Sequence, residues 1–301
     1  MLTYSSPTVM AAALLFEGGG GSLSAVPWSW EASIVLPLAV LLVVYTAGLA
    51  RRGSIGMLRW RHASFYAGWL TLALALVSPI HELGEQLFSA HMLQHEILIL
   101  VSAPLISAAH PGATMLWAFA PRHRANLGGW VHAVEQSAPM RFVSRPLVAW
   151  LLEAVALWIW HIPVLYQATL TSDWIHAAQH LSFFLTAVLF WSALYGVGRS
   201  AMSYGAATFY VFGTAAHCSA LGALLTFSAV LWYPAYQATT QAWGLTPLQD
   251  QQLGGVVMWV PSGIVFVVIG LALFAKWLSE SDHRLAHTTL QGALEAGKGD
   301  R

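Results

Sequence analysis

The sequence contains little charge and a single cysteine. Asp, Glu, Lys and Arg make up 9% of its 301 residues, whereas about 25% is usual in soluble proteins. The 13 basic residues balance the 13 acidic ones, so the chain has no net charge that would attract nucleic acid. The one cysteine, Cys218, excludes an intramolecular disulfide framework and a zinc site made of several cysteines.

Hydrophobic residues make up 57% of the chain, and they form runs that exceed the roughly 18–20 residues needed to cross a bilayer. These runs predict an all-α fold, a polytopic membrane helix bundle with seven transmembrane helices. The predicted spans are about 31–50, 63–79, 86–109, 146–162, 174–197, 206–231 and 253–277. They divide the chain into an outer amino-terminal leader at 1–30, a transmembrane domain at 31–278, and a disordered cytoplasmic tail at 279–301.

Basic residues predict the orientation of these spans. Lys and Arg are enriched in cytoplasmic loops. With the amino terminus outside, the predicted inner loops, the tail and the inner end of the last span hold all 13 basic residues. The predicted outer segments 1–30, 80–86, 163–173 and 232–252 contain none. We therefore predict an amino terminus on the outside and a carboxyl terminus in the cytoplasm.

Two predicted spans carry paired histidines in their outer thirds. His91 and His95 occur in "HMLQHE", and His176 and His180 occur in "HAAQH". Residues four apart share one face of a helix, and polar groups in hydrocarbon are costly unless they have a partner. Neutral imidazole is a good metal ligand, and such a pair can place two nitrogens on one ion. The two pairs therefore predict a metal site, to which His161 at the outer end of the fourth span is a further candidate ligand.

Seven other polar residues are candidates for supporting this site or adding a ligand. They are Asp173, Glu96, Asp250, Gln251, His81, His217 and Cys218. In "PLQDQQLGG", Asp250 and Gln251 lie at the outer mouth of the last span, and the two glycines that follow allow another helix to approach closely. The outer face carries acidic residues and no basic ones, so its potential is expected to attract cations.

The residues alone leave the nature of the site open. Imidazole-rich sites suit zinc, copper, iron or nickel. One haem between two histidines and a structural hydrogen-bond network are also compatible with the pattern. An intramembrane zinc hydrolase would use Asp173 or Glu96 as general base. However, "HMLQHE" matches neither H-E-x-x-H nor H-x-x-E-H.

Four segments carry a family resemblance. They read "SPIHELGEQLFSAHMLQHEILILVSAPL", "WHIPVLYQATL", "HAAQHLSFFLTAVLFW" and "GLTPLQDQQLGGVVMWVPSG". Over roughly 65–275 they resemble the seven-helix bacterial cytochrome c oxidase assembly factor CtaG family. The functional candidates carried over by motif are His91, His95, His161, His176 and His180, with Asp250 and Gln251. Glu96 departs from the pattern, since an apolar residue such as Met is expected there.

The resemblance implies a multi-pass protein of the bacterial inner (plasma) membrane that matures a haem–copper oxidase. Copper is the implied ligand, and the oxidase subunits and the lipid bilayer are the implied partners. We therefore expect a non-enzymatic, copper-binding assembly factor with an outer-leaflet histidine cluster and no catalytic residues. A zinc-dependent hydrolase and a haem-b electron carrier are the alternatives.

Overall fold

The structure, a computed structural model, describes residues 26–52, 59–196 and 202–299. Within these ranges the regular secondary structure is helical throughout, without any strand. All but the last five residues of the predicted leader lie outside the described part of the chain. An all-α fold is therefore confirmed for the residues that the structure describes.

The first half of the chain contains α1 and α2, a short α3, and a helix that is interrupted by a π-helical turn. The bounds are α1 Ala32–Arg52, α2 Arg59–Val77, α3 Pro79–Gln86, α4 Phe88–Glu96, the π turn Ile97–Ser102, α5 Ala103–Ala109 and α6 Pro111–Met115. A 3₁₀ turn, Leu116–Ala118, and two helices, α7 Pro121–Gln136 and α8 Ala138–Val143, follow.

The second half contains longer helices. They are α9 Pro146–Trp160, α10 Pro163–Thr169, α11 Asp173–Leu194, α12 Tyr204–Thr226 and α13 Pro247–Gly299, with 3₁₀ turns at Pro234–Ala238 and Thr240–Trp243 before α13. Helix α13 continues to Gly299, whereas the sequence predicts a disordered tail from residue 279. Ala, Leu, Glu and Lys in this segment are strong helix formers and extend the preceding span. The division into leader, membrane domain and tail stays a prediction.

Among the described residues, five helical segments are long and apolar enough to cross a membrane. They are Ala32–Arg52, Phe88–Ala109, Asp173–Leu194, Tyr204–Thr226 and Pro247–Ser281. Two bent pairs raise the number to seven if each pair is one span: α2 with α3, bent by 44°, and α9 with α10, bent by 82°. The chain is thus a multi-pass membrane protein with five to seven candidate spans, and the orientation of its termini stays a prediction.

Both bends occur where the sequence places proline. Pro79 and Pro163 each begin the second helix of a pair, and a proline cannot donate the hydrogen bond that would continue the preceding helix. At the first bend the Ser78 side chain accepts a 3.3 Å hydrogen bond from the backbone N–H of Ile80. The first bend places α3 next to α4, and this contact positions the site described below.

The π turn also has a local cause. Pro104 has no N–H to donate to the carbonyl of Leu100, so the regular α-helical ladder is interrupted there. A π turn widens the helix by one residue. The indole N–H of buried Trp191 donates a 2.8 Å bond to the Ile99 carbonyl within the turn. This bond joins α11 to the helix that carries the first histidine pair.

The two glycines of "PLQDQQLGG" let α13 pack closely against its neighbours. A Cβ on Gly255 would lie 2.8 Å from the Gly222 carbonyl oxygen of α12. A Cβ on Gly254 would collide with the Phe88 ring at the start of α4. Small residues let membrane helices approach closely, and here two consecutive ones bring α13 against two different helices.

Candidate metal centre

Three helices bring five histidines into contact. His81 lies on α3, His91 and His95 lie on α4, and His176 and His180 lie on α11. Each helix with a pair presents both rings from one face, because residues four apart align along a helix. All five side chains are buried. We call these five residues the histidine cluster.

One set of three ligand atoms comes from His91, His95 and His180. Their ligating nitrogens all lie within 4.8 Å of one another. The ring centroids of His91 and His95 are 4.4 Å apart, and those of His95 and His180 are 5.2 Å apart. The structure thus brings residues of both predicted pairs together. The sequence alone predicts only that the two pairs lie at a common depth in the membrane.

A second set shares His180 and adds His176 and His81. Its ligating nitrogens also lie within 4.8 Å of one another. The Nε2 atoms of His176 and His180 are 3.2 Å apart, and the His81 and His176 rings stack with centroids 5.3 Å apart at 9°. Because His180 belongs to both sets, the cluster is continuous.

His95 carries the strongest signal for a missing ligand. The side chain is 3% exposed, and among the described residues neither of its ring nitrogens has a hydrogen-bond partner. A neutral imidazole offers one donor and one acceptor, and leaving buried polar atoms unpaired costs about 1–3 kcal/mol each. A metal ion within the His91–His95–His180 set would take up the acceptor lone pair.

Hydrogen bonds distinguish the roles of His91 and His81. His91 Nδ1 lies 3.3 Å from the Gly84 carbonyl oxygen, and Nε2 lies 3.1 Å from the Gln179 side-chain oxygen. A neutral ring can donate to only one of these two acceptors. With its proton on Nδ1, His91 would offer Nε2 as a ligand atom. This is the usual arrangement of a ligating histidine, whose other nitrogen donates to a carbonyl. His81 Nδ1 instead accepts a 3.0 Å bond from the Gln94 amide, which leaves its proton on Nε2. Within the cluster, His81 is therefore a hydrogen-bonding residue and not a ligand in this arrangement.

His161 lies beside a thioether. Its Nδ1 donates a 2.7 Å bond to the Leu157 carbonyl, and its Nε2 lies 3.4 Å from Met92 Sδ. With the ring proton on Nδ1, both facing atoms are lone-pair donors and no hydrogen lies between them. Nitrogen and thioether sulfur together are a ligand pair for a soft ion. The sequence alone favours packing as the role of Met92.

An acidic cavity of about 540 Å³ leads to one side of the cluster. Its polar wall contains Glu31, Glu85 and Asp173, and it ends at His81, His176 and His180; the rest of its lining comes mainly from apolar side chains of α1 and α11. Carboxylates at a low-dielectric cleft concentrate cations. Asp173, which the sequence predicts as a supporting residue, is one of the carboxylates in this wall.

Asp250 and Gln251 act on the helices around the cluster. The Asp250 carboxylate accepts bonds from the backbone N–H groups of Phe88, at 2.6 Å, and Ser89, at 3.1 Å. It also accepts a 2.6 Å bond from the Ser89 hydroxyl. These N–H groups belong to the first turn of α4, where a carboxylate is favourable. Gln251 bonds Trp232 N–H and the Val230 carbonyl, and so holds the connection that precedes α13.

Three buried tyrosines cover the cluster near α3. The Tyr166 and Tyr236 hydroxyls are 2.8 Å apart, and Tyr236 donates a 2.9 Å bond to the same Gly84 carbonyl that faces His91. Tyr233 donates a 2.8 Å bond to the His161 carbonyl. These bonds fix the backbone on either side of the histidines.

Comparison with known sequences assigns this architecture to a family. The profile of the cytochrome c oxidase caa3 assembly factors, Caa3_CtaG, matches residues 40–280. The chain belongs to this family. The match covers the described spans from within α1 to the end of the apolar part of α13, and it confirms the resemblance drawn from the four segments.

Relatives in mycobacteria extend the comparison. An uncharacterized protein of Mycobacterium leprae is 25% identical over 269 residues. Uncharacterized proteins of Mycobacterium bovis and Mycobacterium tuberculosis are each 25% identical over 272 residues. Each alignment covers 86% of this chain and 40% of the relative, so the chain spans well under half the length of the curated relatives it matches. No solved structure matches the chain.

Three candidate residues meet away from the histidine cluster in this member of the family. His217 and Cys218 of α12 form a separate group with Glu153 of α9, with ligand atoms within 4.8 Å of one another. Glu96 of α4 interacts electrostatically with Glu153 and Cys218. The sequence predicts Glu96, His217 and Cys218 as supports or possible ligands of the histidine site, and this stays a prediction. In the structure His217 and Cys218 lie beside Glu153.

Sequence reasoning missed Glu153, Gln94 and Gln179. Gln94 bonds His81 and the Ala75 carbonyl, and the Gln179 amide lies 3.1 Å from His91 Nε2. A polar residue within an apolar span is itself a sign of function. By that criterion Glu153, the lone glutamate in "WLLEAVALW", could have been identified from the sequence.

Proposed function

We propose that this Caa3_CtaG-family protein binds copper in the histidine cluster and supplies it during the assembly of a haem–copper oxidase. The observation that carries the proposal is the His91–His95–His180 set, because it is buried, compact and includes a ring with two unpartnered nitrogens. Membership of the caa3 oxidase assembly factor family is the reason for proposing an oxidase as the recipient. The role is non-enzymatic, since delivery of an ion requires only binding and release.

The ligand types favour copper over other metals. Imidazole suits several ions, but thioether sulfur selects soft ones such as Cu⁺. Met92 Sδ, 3.4 Å from His161 Nε2, supplies such a ligand next to the histidines of α4. We propose that His161 and Met92 form the exit or entry step for the ion, and that His91, His95 and His180 form the main site.

Packing within the cluster favours a bare ion over haem. A haem plane would have to lie between two axial imidazoles. The His95 ring instead packs directly on its two neighbours, with its centroid 4.4 Å from that of His91 and 5.2 Å from that of His180. A single ion fits between the nitrogens without separating the helices.

Access and orientation complete the proposal. The cavity with Glu31, Glu85 and Asp173 provides an electrostatic route for a cation to His176 and His180. All Lys and Arg residues fall on the opposite side if the amino terminus is outside. We propose that the protein lies in the bacterial plasma membrane with this cavity facing outward, where it takes up copper and passes it to oxidase subunits.

Metal content of the detergent-purified full chain tests the site. After loading with Cu⁺ under reducing conditions, we expect stoichiometric copper by mass spectrometry, and its loss in His91→Ala/His95→Ala. The matched control is His123→Ala/His132→Ala, which removes two exposed histidines of α7 and leaves copper unchanged. Equal copper in both double variants would refute the site, as would a Soret band in the isolated protein. Stoichiometric zinc with amide hydrolysis would replace the proposal with a hydrolase.

Co-production with a caa3-type oxidase tests the role. We expect the copper content of the purified oxidase to fall with the His91→Ala/His95→Ala variant, while its haem content is unchanged. Full copper loading of the oxidase in the presence of this variant would contradict the assembly function, even if copper binding to the isolated chain were confirmed.

A further inference from the structure

A second group of ligand-type side chains lies in the middle of the bundle. Glu153 Oε2 is 3.5 Å from His217 Nε2, and the Cys218 sulfur is 3.8 Å from His217 Nδ1. One ligand atom from each of the three residues lies within 4.8 Å of the other two. Carboxylate, imidazole and thiol thus converge from two helices, α9 and α12.

This group lies far from both ends of its helices. Glu153 is seven residues from either end of α9, or about 10 Å at 1.5 Å per residue. His217 is nine residues, or about 14 Å, from the nearer end of α12. At such a depth an ionisable side chain is costly and marks a functional site by default.

Two polar atoms of the group, Glu153 Oε2 and His217 Nε2, lack hydrogen-bond partners among the described residues. Glu153 is 6% exposed, and in the described part of the chain neither its Oε2 nor His217 Nε2 has a hydrogen bond. At 3.5 Å their contact is too long for a normal charge-assisted bond, which is about 2.7–2.9 Å. Glu96 Oε2 also has no partner. The unpartnered atoms of Glu153 and His217, which face each other, therefore point to a cation that would join them.

We propose that Glu153, His217 and Cys218 form a second metal site, for a thiolate-binding ion such as Cu⁺ or Zn²⁺. Sulfur, nitrogen and oxygen ligands are all found on zinc, and thiolate favours Cu⁺. Binding displaces the thiol proton of Cys218, which is released to solvent. The site does not depend on copper binding by the histidine cluster.

The two sites are connected through α4. His95 belongs to the histidine cluster, and Glu96, the next residue, interacts with the second group. The π turn Ile97–Ser102 begins directly after Glu96, and such turns are frequent at functional sites.

The chain's only cysteine makes the site directly observable. Co²⁺ bound to a thiolate gives a sulfur-to-metal charge-transfer band in the near ultraviolet, and in this protein that band reports on Cys218 alone. We expect the band when detergent-purified full chain is titrated with Co²⁺, and its retention in His91→Ala/His95→Ala. We expect its loss in Cys218→Ser and at least a tenfold weaker Co²⁺ affinity in Glu153→Gln. Ser219→Ala, the adjacent residue, is the control and keeps the band.

Competition between metal ions identifies the ion that the site prefers. Labelling of the wild-type cysteine provides a second test that does not depend on the folding of any variant. Displacement of Co²⁺ by Zn²⁺ or by Cu⁺ under anaerobic reducing conditions decides between the two ions. In the wild-type chain, bound metal should also slow maleimide labelling of Cys218 at least tenfold. No band together with unprotected Cys218 would overturn the second site, and a band lost in His91→Ala/His95→Ala would assign the cysteine to the histidine cluster instead. The first result would leave copper binding by the histidines unaffected.

Discussion

The histidine cluster and the Glu153–His217–Cys218 group are linked by consecutive residues of α4, yet they differ in access and in ligand type. The cluster borders a cavity with three carboxylates in its wall, and no residue of the second group lines that cavity. The cluster offers nitrogens, whereas the second group includes a thiol. Ligand softness and access usually separate sites that exchange an ion from sites that retain it. We therefore expect rapid exchange at the histidines and slow exchange at Cys218.

The largest expected effect comes from His95→Leu. We expect it to abolish copper binding by the cluster, because one of three ligands is removed, and to leave thermal stability in detergent unchanged or higher. Within the described part of the chain His95 has no hydrogen bond that the variant would lose, and an unpaired buried polar group costs about 1–3 kcal/mol. The cobalt band of Cys218 should remain.

His91→Leu is the matched comparison for that variant. It also removes a ligand, but it breaks the contacts with Gly84 and Gln179, so we expect it to destabilise the protein by about 1–3 kcal/mol. Equal melting temperatures for the two variants would contradict the distinct roles assigned to these neighbouring rings.

Asp250→Asn should have the next largest effect. The carboxylate holds the first turn of α4 through Phe88 and Ser89, and an amide replaces one acceptor oxygen with a donor. We expect copper affinity to fall by about 10–100-fold, the range seen for residues that orient metal ligands. Isothermal titration with Cu⁺ measures this change. The Gln249 side chain accepts bonds from nearby Thr246. Gln249→Ala should therefore retain full affinity, and a similar loss there would refute the orienting role.

The consecutive glycines provide a smaller but selective test. Gly254→Ala presses on Phe88 of α4, and Gly255→Ala presses on the backbone of α12. We expect each to cost about 1–3 kcal/mol, as overpacking usually does. Gly254→Ala should weaken copper binding more, and Gly255→Ala should weaken the cobalt band more. Gly263→Ala meets only an atom 4.0 Å away and serves as the neutral control; identical profiles for the first two variants would mean that the two sites are not separately positioned.

Much of this architecture follows from one sequence, because the determining signals are local. Apolar run length predicts the helices, and four-residue spacing predicts that His91 and His95 share a face, as do His176 and His180. The sequence does not predict that Asp250 caps α4, since that contact joins residues more than 160 positions apart. The sequence also does not place Glu153 beside His217 and Cys218, because the depth of residues on separate helices does not determine which side chains face each other. Only the packing of α9 against α12 brings Glu153 to them.

The smallest expected effect concerns the cavity acids. Glu85→Gln and Asp173→Asn remove charge from the cavity wall without removing a proposed ligand. We expect the rate of Cu⁺ binding to the cluster to fall by about tenfold at low salt, the lower end of electrostatic steering, with little change at high salt. Stopped-flow mixing at two ionic strengths measures it, with Glu135→Gln on the exposed face of α7 as the control. Metal uptake at Cys218 should not respond, because these acids do not border that group; a parallel slowing at both sites would show that one entrance serves both.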